Sequence, residues 1–192
     1  MAFAVTGAFK AIEKKSDIVG ILLLATITGV AGGTIRDVIM GEFPNSIADP
    51  IYVIIAVLSG VTIFFLYSHL KKHWNLFLKF DAIGLGVFTI IGATFAYSLF
   101  ELNFLAILLA GILTAVGGGI LRDVFVNQIP MVFVKEFYMS ASFIGIVVFY
   151  LILYFRGELY FATITGIVIT TSLRLVAMKY NWNLPRAKDS LD

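Results

Sequence analysis

Long apolar runs alternate with short polar segments along this chain, covering about 1–13, 18–40, 49–69, 81–100, 103–126, 136–155 and 158–178. A helix of roughly 20 residues spans the roughly 30 Å hydrocarbon core of a bilayer, so the pattern predicts seven transmembrane helices. The first run is short, reaching only about 20 Å at 1.5 Å per residue. The segment from His69 to Phe80 mixes Lys71, Lys72 and Lys79 with Trp74, Phe77 and Phe80, the composition of an interfacial connector. After Tyr180 the pattern gives way to Asn-Trp-Asn-Leu-Pro-Arg-Ala-Lys-Asp-Ser-Leu-Asp, a polar tail expected to be a flexible end.

Composition supports the membrane reading. Of 192 residues 60% are hydrophobic and only 14% charged, against roughly 25% in soluble domains, and the mean hydropathy is +0.98. There is no cysteine, so neither disulfides nor thiolate metal sites are available. The opening Met-Ala-Phe-Ala-Val carries no basic leader, so no cleavable signal peptide is expected. A net charge of +2 gives no reason to expect a nucleic-acid partner, and its distribution says more. With seven crossings, Lys10, Lys14, Lys15, Lys71, Lys72, Lys79, Lys135, Lys179, Arg186 and Lys188 share one side and Arg156 lies on the other. The positive-inside rule makes the crowded side cytoplasmic, with the N-terminus outside and the C-terminus inside.

The strongest organisational signal is a duplication. Gly29–Pro44 reads G-V-A-G-G-T-I-R-D-V-I-M-G-E-F-P and Ala115–Pro130 reads A-V-G-G-G-I-L-R-D-V-F-V-N-Q-I-P, identical at Val30, Gly32, Gly33, Arg36, Asp37, Val38 and Pro44. Upstream, Phe3–Ala8 aligns with Phe88–Ala93 around Gly7 and Gly92 with a one-residue slip, and downstream Tyr52 falls opposite Tyr138. Each unit holds three helices, and an odd number forces the second unit to enter from the opposite leaflet. The expected organisation is an all-α membrane protein. It comprises a first three-helix repeat (1–70), an interfacial connector (71–80), a second, inverted repeat (81–155), a seventh helix (156–180) and a cytoplasmic tail (181–192).

The duplicated segments concentrate the costly residues. Glycine inside a helix costs about 1 kcal/mol relative to alanine, so Gly32-Gly33 and Gly117-Gly118-Gly119 must return something to the second and fifth helices. One return is a kink lining an aqueous path; the other is close helix packing. Arg36-Asp37 and Arg122-Asp123 follow, and a central Arg or Asp is estimated to cost about 2.5–3.5 kcal/mol on insertion scales. Sequence neighbours lie about 100° apart on a helix, so cross-repeat pairs are expected, Arg36 with Asp123 and Arg122 with Asp37. The alternative is that these charges anchor helix ends by snorkelling. Lys135 and Glu136, with Tyr138, Ser140 and Ser142, either continue a polar stripe along the path or form a helix-start charge pair. Arg174 is expected to snorkel to the cytoplasmic interface. His69 and His73 lack an accompanying carboxylate cluster, so no metal site is expected. No Gly-Lys-Ser/Thr loop and no Gly-x-Ser-x-Gly elbow is present, and no catalytic constellation or organic cofactor is expected.

The paired G-G-[TI]-[IL]-R-D-V blocks, each closing on a proline seven positions after the aspartate, resemble the prokaryotic trimeric intracellular cation (TRIC) channel family. The duplicated domain is also shared by bacterial glycine-transporter-like membrane proteins. The resemblance spans residues 1–155, with Ala31 replacing the opening glycine of the first triplet. It implies seven helices as three plus three inverted plus one, with the second and fifth kinked at their glycines. It further implies a homotrimer with one potassium-conducting pore in each protomer. The pore-lining set carried over by position is Gly32, Gly33, Arg36, Asp37, Gly117, Gly118, Gly119, Arg122 and Asp123, to which the polar stripe adds Glu136 and Tyr138. Expected partners are potassium or other monovalent cations and membrane lipids. A secondary transporter of a small solute such as glycine competes on the same inverted scaffold, since a helix N-terminus could hold its carboxylate and an acid its ammonium.

Overall fold

A computed structural model describes residues 1–70, 74–134 and 137–182. Within them the chain is helical, with no strand: α1 (Ala2–Glu13), α2 (Ile18–Ile39), α3 (Asn45–Ala48), α4 (Ile51–Leu70), α5 (Trp74–Phe100), α6 (Phe104–Phe125), α7 (Met131–Val134), α8 (Tyr138–Tyr154) and α9 (Leu159–Tyr180). Five helices, α2, α4, α5, α6 and α9, are long and apolar enough to cross a membrane; α8 is apolar but shorter. This is an integral membrane protein. The second and fifth helices of the sequence pattern are α2 and α6. Helix α5 starts at Trp74, inside the segment expected as a connector. Lys71, Lys72, His73, Lys135, Glu136 and the tail from Asn183 lie outside the described residues.

The duplication is written into the backbone at an offset of 86, the distance from Arg36 to Arg122. Asp17 caps α2 by accepting from the Gly20 N–H at 2.7 Å, and Asn103 caps α6 by accepting from the Ala106 N–H at 3.1 Å. At the other end, Glu42 N–H donates to the Asp37 carbonyl (2.9 Å) and Gln128 N–H to the Asp123 carbonyl (2.8 Å). These are matched Schellman turns whose left-handed residues are Gly41 (φ +79°) and Asn127 (φ 54°). The short helices α3 and α7 begin at equivalent positions, each after a proline, Pro44 and Pro130. Loss of an N-cap side chain typically removes about 1 kcal/mol. Asp17→Ala and Asn103→Ala are therefore expected to lower the thermal midpoint of the detergent-purified protein by similar, small amounts.

Each repeat builds its own core. Ala4, Ala8, Phe9, Ile21, Leu24, Ala25, Ala56 and Ile63 pack α1, α2 and α4 together, while Ile90, Ala93, Ile107, Ala110, Ile146 and Phe149 pack α5, α6 and α8. Helix α9 lies on α5 and α8 through Ala162, Gly166, Thr170, Arg174 and Ala177, a single stripe at three- and four-residue spacing. Small residues dominate these contacts because lipid supplies no hydrophobic drive and dispersion needs close approach.

The repeats meet where α2 crosses α6. A Cβ at Gly32 would lie 2.5 Å from the Thr114 carbonyl oxygen, and one at Gly118 would press into the Thr28 carbonyl. Thr114 and Gly118 are the 86-residue equivalents of Thr28 and Gly32, so the crossing is reciprocal. The partner's number falls as the residue number rises, so the two helices run antiparallel, as inverted repeats require. The same logic recurs within each repeat, where Gly7 backs onto Thr28 and Gly92 onto Thr114. Both threonine hydroxyls are satisfied internally, donating to the Leu24 and Ala110 carbonyls at 2.6 and 2.7 Å.

Candidate functional site

Two equivalent half-sites flank this crossing, each assembled from one Gly-Gly-x-x-Arg-Asp segment. Arg36 Nε and Nη2 donate to Asp37 Oδ1 at 2.8 and 2.6 Å, and Arg122 Nε donates to Asp123 Oδ1 at 2.8 Å. All four residues are buried, at 6%, 1%, 5% and 1% exposure in chain order. The expected cross-repeat pairing is thereby corrected. The antiparallel register sets Gly32 beside Thr114, so position 36 lies about 13 residues, or about 20 Å, along α6 from Asp123. An arginine stem is long enough to fold back onto its sequence neighbour, and a buried guanidinium needs a carboxylate within reach. Snorkelling does not describe these arginines either, because their side chains turn inward.

The second carboxylate oxygen explains the proline spacing. Asp37 Oδ2 accepts from Asn45 N–H at 2.9 Å and from Asn45 Nδ2 at 3.3 Å; Asp123 Oδ2 accepts from Met131 N–H at 2.9 Å. Each aspartate thus joins its arginine to the first turn of the short helix eight residues on. The arginines, in turn, reach the opposite repeat. Arg36 stacks 4.1 Å from the ring centroid of Phe95 on α5, and Arg122 Nη1 donates to Thr6 Oγ1 on α1 at 2.8 Å. Phe95 and Thr6 are contributions that sequence reasoning missed, since neither carries a pattern beyond helix periodicity.

The glycines divide by role. Gly32, Gly117 and Gly118 sit at the helix crossing, whereas a Cβ at Gly33 or Gly119 would meet only the guanidinium three residues on, at 3.7 and 4.0 Å. Both helices stay helical through their glycines, and Gly32, Gly117 and Gly118 let them pack closely.

A cavity of about 170 Å³ opens on the first half-site, lined by Gly32, Gly33, Thr34, Arg36, Asp37, Asn45, Ser46 and Tyr52, with Phe3, Phe88, Ile91 and Thr114 behind them. Four of the expected pore residues, Gly32, Gly33, Arg36 and Asp37, therefore line one space. Gly117, Gly118, Gly119, Arg122, Asp123 and Tyr138 do not border it. Ser142, from the expected polar stripe, is buried and accepts from Thr89 Oγ1 at 2.9 Å. Glu136 lies outside the described residues. Arg174 is corrected: it sits on the buried stripe of α9 at 3% exposure, 4.7 Å from the Tyr138 ring centroid. Tyr138 and Asp81 are both buried, at 7% and 3%, close enough to interact electrostatically. The sequence signal for Asp81 was an acid opening an apolar run, which reads equally as a helix start. His69 is exposed beside the Ser68 hydroxyl at 3.2 Å, and no group of metal-ligating residues occurs among the described residues.

Comparison with known proteins bears on this arrangement. Residues 1–68 and 78–154 match the family described as Glycine transporter, one stretch on each repeat. The chain is 35% identical over 187 residues to the inner membrane protein YadS of Escherichia coli (strain K12), covering 95% of this chain and 89% of that protein. It is 35% identical over 195 residues to the membrane protein YvgT of Bacillus subtilis (strain 168), covering 100% and 94%. A TRIC cation channel structure superposes with a TM-score of 0.92 at 37% identity, covering 100% of this chain and 94% of that one. The TRIC trimeric intracellular cation channel orthologue from Rhodobacter sphaeroides gives 0.88 at 31% identity, covering 94% and 93%.

Proposed function

This chain belongs to the glycine transporter family, and from that premise we propose that it is a channel for monovalent cations, potassium foremost, with one pore inside each protomer of a homotrimer. The observation that carries the reading is the full-length likeness to a TRIC cation channel at 37% identity and a TM-score of 0.92. The pore runs past the α2–α6 crossing between the two Arg-Asp half-sites, with α2 and α6 bending at their glycines as the path widens. All seven longer helices cross the prokaryotic plasma membrane, N-terminus outside and C-terminus in the cytoplasm, in keeping with the basic residues crowded on one side. Membrane lipids surround the exposed apolar faces.

The first half-site suits a passing cation. A channel needs several weak oxygen contacts rather than one tight cage. The Thr34, Ser46 and Tyr52 hydroxyls, the Asn45 amide and the Asp37 carboxylate border one cavity, and Asp37 offsets the Arg36 charge there.

The family description favours a second reading, transport of glycine. A zwitterion would set its carboxylate on Arg36 and its ammonium on Asp37. Those two groups already bind each other at 2.6 Å, so glycine would have to divide a buried ion pair, which costs several kcal/mol per uncompensated charge. A cation leaves the pair intact. Purified protein in planar bilayers is expected to give unitary potassium currents with little chloride permeation, and chemical crosslinking a ladder ending at three. Electrical silence combined with saturable glycine uptake into vesicles would reverse the assignment.

A further inference from the structure

The two Arg-Asp half-sites differ in one contact. In the second, Arg122 donates from Nε to Asp123 Oδ1 and from Nη1 to Thr6 Oγ1, 2.8 Å in each case. In the first, Arg36 donates from Nε and Nη2 to the single oxygen Oδ1 of Asp37, at 2.8 and 2.6 Å. The residue placed to act as Thr6 does is Ile91. Phe3–Ala8 and Phe88–Ala93 align at an offset of 85, and the matching contacts of Gly7 with Thr28 and of Gly92 with Thr114 put the two stretches in equivalent places. Isoleucine accepts no hydrogen bond. Among the described residues no group accepts from Arg36 Nη1, although Arg36 is only 6% exposed. A guanidinium held by Nε and Nη2 keeps its other edge, a parallel pair of N–H groups on Nη1 and Nη2, and Arg36 and Ile91 both line the cavity. Gly33 leaves Nη2 uncovered, since a Cβ there would stand 3.7 Å away.

We propose that this cavity binds a short-chain monocarboxylate, with its carboxylate set bidentately on the Nη1–Nη2 edge of Arg36 and its alkyl end against Phe3, Phe88 and Ile91. Two parallel N–H groups match the two oxygens of a carboxylate, which a halide cannot reproduce. A buried donor left without an acceptor is costly, and at Arg122 the chain supplies the acceptor itself. The far wall decides the rest of the ligand. Phe3 and Phe88 stack with ring centroids 4.8 Å apart and, with Ile91, offer hydrocarbon rather than hydrogen-bond partners. One water needs roughly 10–15 Å³, so a cavity of about 170 Å³ limits the ligand to a few carbon atoms. Glycine fits less well, because its ammonium would have to take Asp37 from Arg36, whereas a simple carboxylate leaves that pair intact. Binding stands apart from the channel reading, while its effect on conduction rests on it. Arg36 and Asp37 balance each other, so a bound carboxylate gives the half-site a net negative charge that draws in a monovalent cation.

The other repeat supplies the replacement residue for the test. Calorimetric titration of butyrate into protein in a non-ionic detergent, at constant potassium and ionic strength, is expected to show saturable binding, and chloride in its place none. Ile91→Thr gives Arg36 the acceptor that Thr6 gives Arg122. It is expected to bind butyrate at least about tenfold more weakly than Ile91→Val, which has the same shape without the hydroxyl. Equal affinities of these two variants, binding of glycine in preference to butyrate, or a butyrate titration as flat as that of chloride overturns the site. In planar bilayers at low salt, exchanging chloride for butyrate is expected to raise the potassium conductance of the wild type roughly twofold and to leave Ile91→Thr unchanged. A protein that binds butyrate and conducts without that rise overturns the link to conduction. One that never conducts overturns the channel reading instead, and the titration still decides the carboxylate site.

Discussion

Gly118→Ala is expected to destabilise the protein severely while Gly119→Ala, one residue away, stabilises it. A methyl group at position 118 would have to occupy the space of the Thr28 carbonyl oxygen, so α6 must move off α2 and open the junction between repeats. Overpacking of this kind costs typically 1–3 kcal/mol, and the upper end applies where the obstacle is backbone rather than a pliable side chain. At position 119 the added methyl meets only the Arg122 guanidinium, 4.0 Å away. There the helix gains up to about 1 kcal/mol from replacing glycine. The reciprocal pair should follow the same order, Gly32→Ala losing stability and Gly33→Ala keeping it. Thermal melts of detergent-purified variants, followed by monodisperse elution, separate these outcomes. Equal losses at 118 and 119 would mean that the triplet acts through backbone bending rather than through contact. A stable Gly119→Ala variant with altered conductance would assign that glycine to the path.

Much of this arrangement is legible in the sequence because its physical causes are local or periodic. The apolar run 18–40 becomes α2 (Ile18–Ile39), and 103–126 becomes α6 (Phe104–Phe125), since an apolar segment in lipid must satisfy its backbone internally and a polar cap fixes where it starts. The duplication is equally visible, and its odd helix number implies inversion; the falling register of Gly32 with Thr114 and Thr28 with Gly118 sets α2 and α6 antiparallel. The short helices α3 and α7 are not legible, being four residues each and fixed by distant carboxylates, Asp37 and Asp123. Arg174 was misread for a related reason. Its place near the cytoplasmic end of an apolar run suggests snorkelling, but it shares the stripe of Ala162, Gly166 and Thr170, and in a membrane helix such small residues mark the packing face. The arginine partners failed on a different ground. Helical angles describe where a side chain leaves the backbone, and an arginine has enough rotatable bonds to undo that direction.

Removing Asp37 is the charge substitution expected to cost most, and the way its effect combines with others tests the pairing directly. Breaking a buried pair by neutralising one member typically costs 3–5 kcal/mol, because the remaining charge stays buried. Arg36 has the Phe95 ring face and Asp37 as its neighbours, so Asp37→Asn leaves the buried guanidinium without a counter-charge, against a neutral amide and the weaker cation–π contact. Arg122 keeps a hydrogen bond to Thr6 Oγ1 when Asp123 is neutralised. Asp123→Asn is therefore expected to cost less than Asp37→Asn, although the two aspartates are equivalent in the repeat. Combining Arg36→Gln with Asp37→Asn should recover a large part of the loss, giving a coupling of about 2 kcal/mol or more. Combining Arg36→Gln with Asp123→Asn should be additive within about 0.5 kcal/mol, since those residues lie on opposite sides of the α2–α6 crossing. A large coupling in the second cycle would return the cross-repeat pairing to favour. An absence of coupling in the first would mean that Asp37 matters for what it holds at Asn45, through the 2.9 Å bond to its N–H, and not for the arginine beside it.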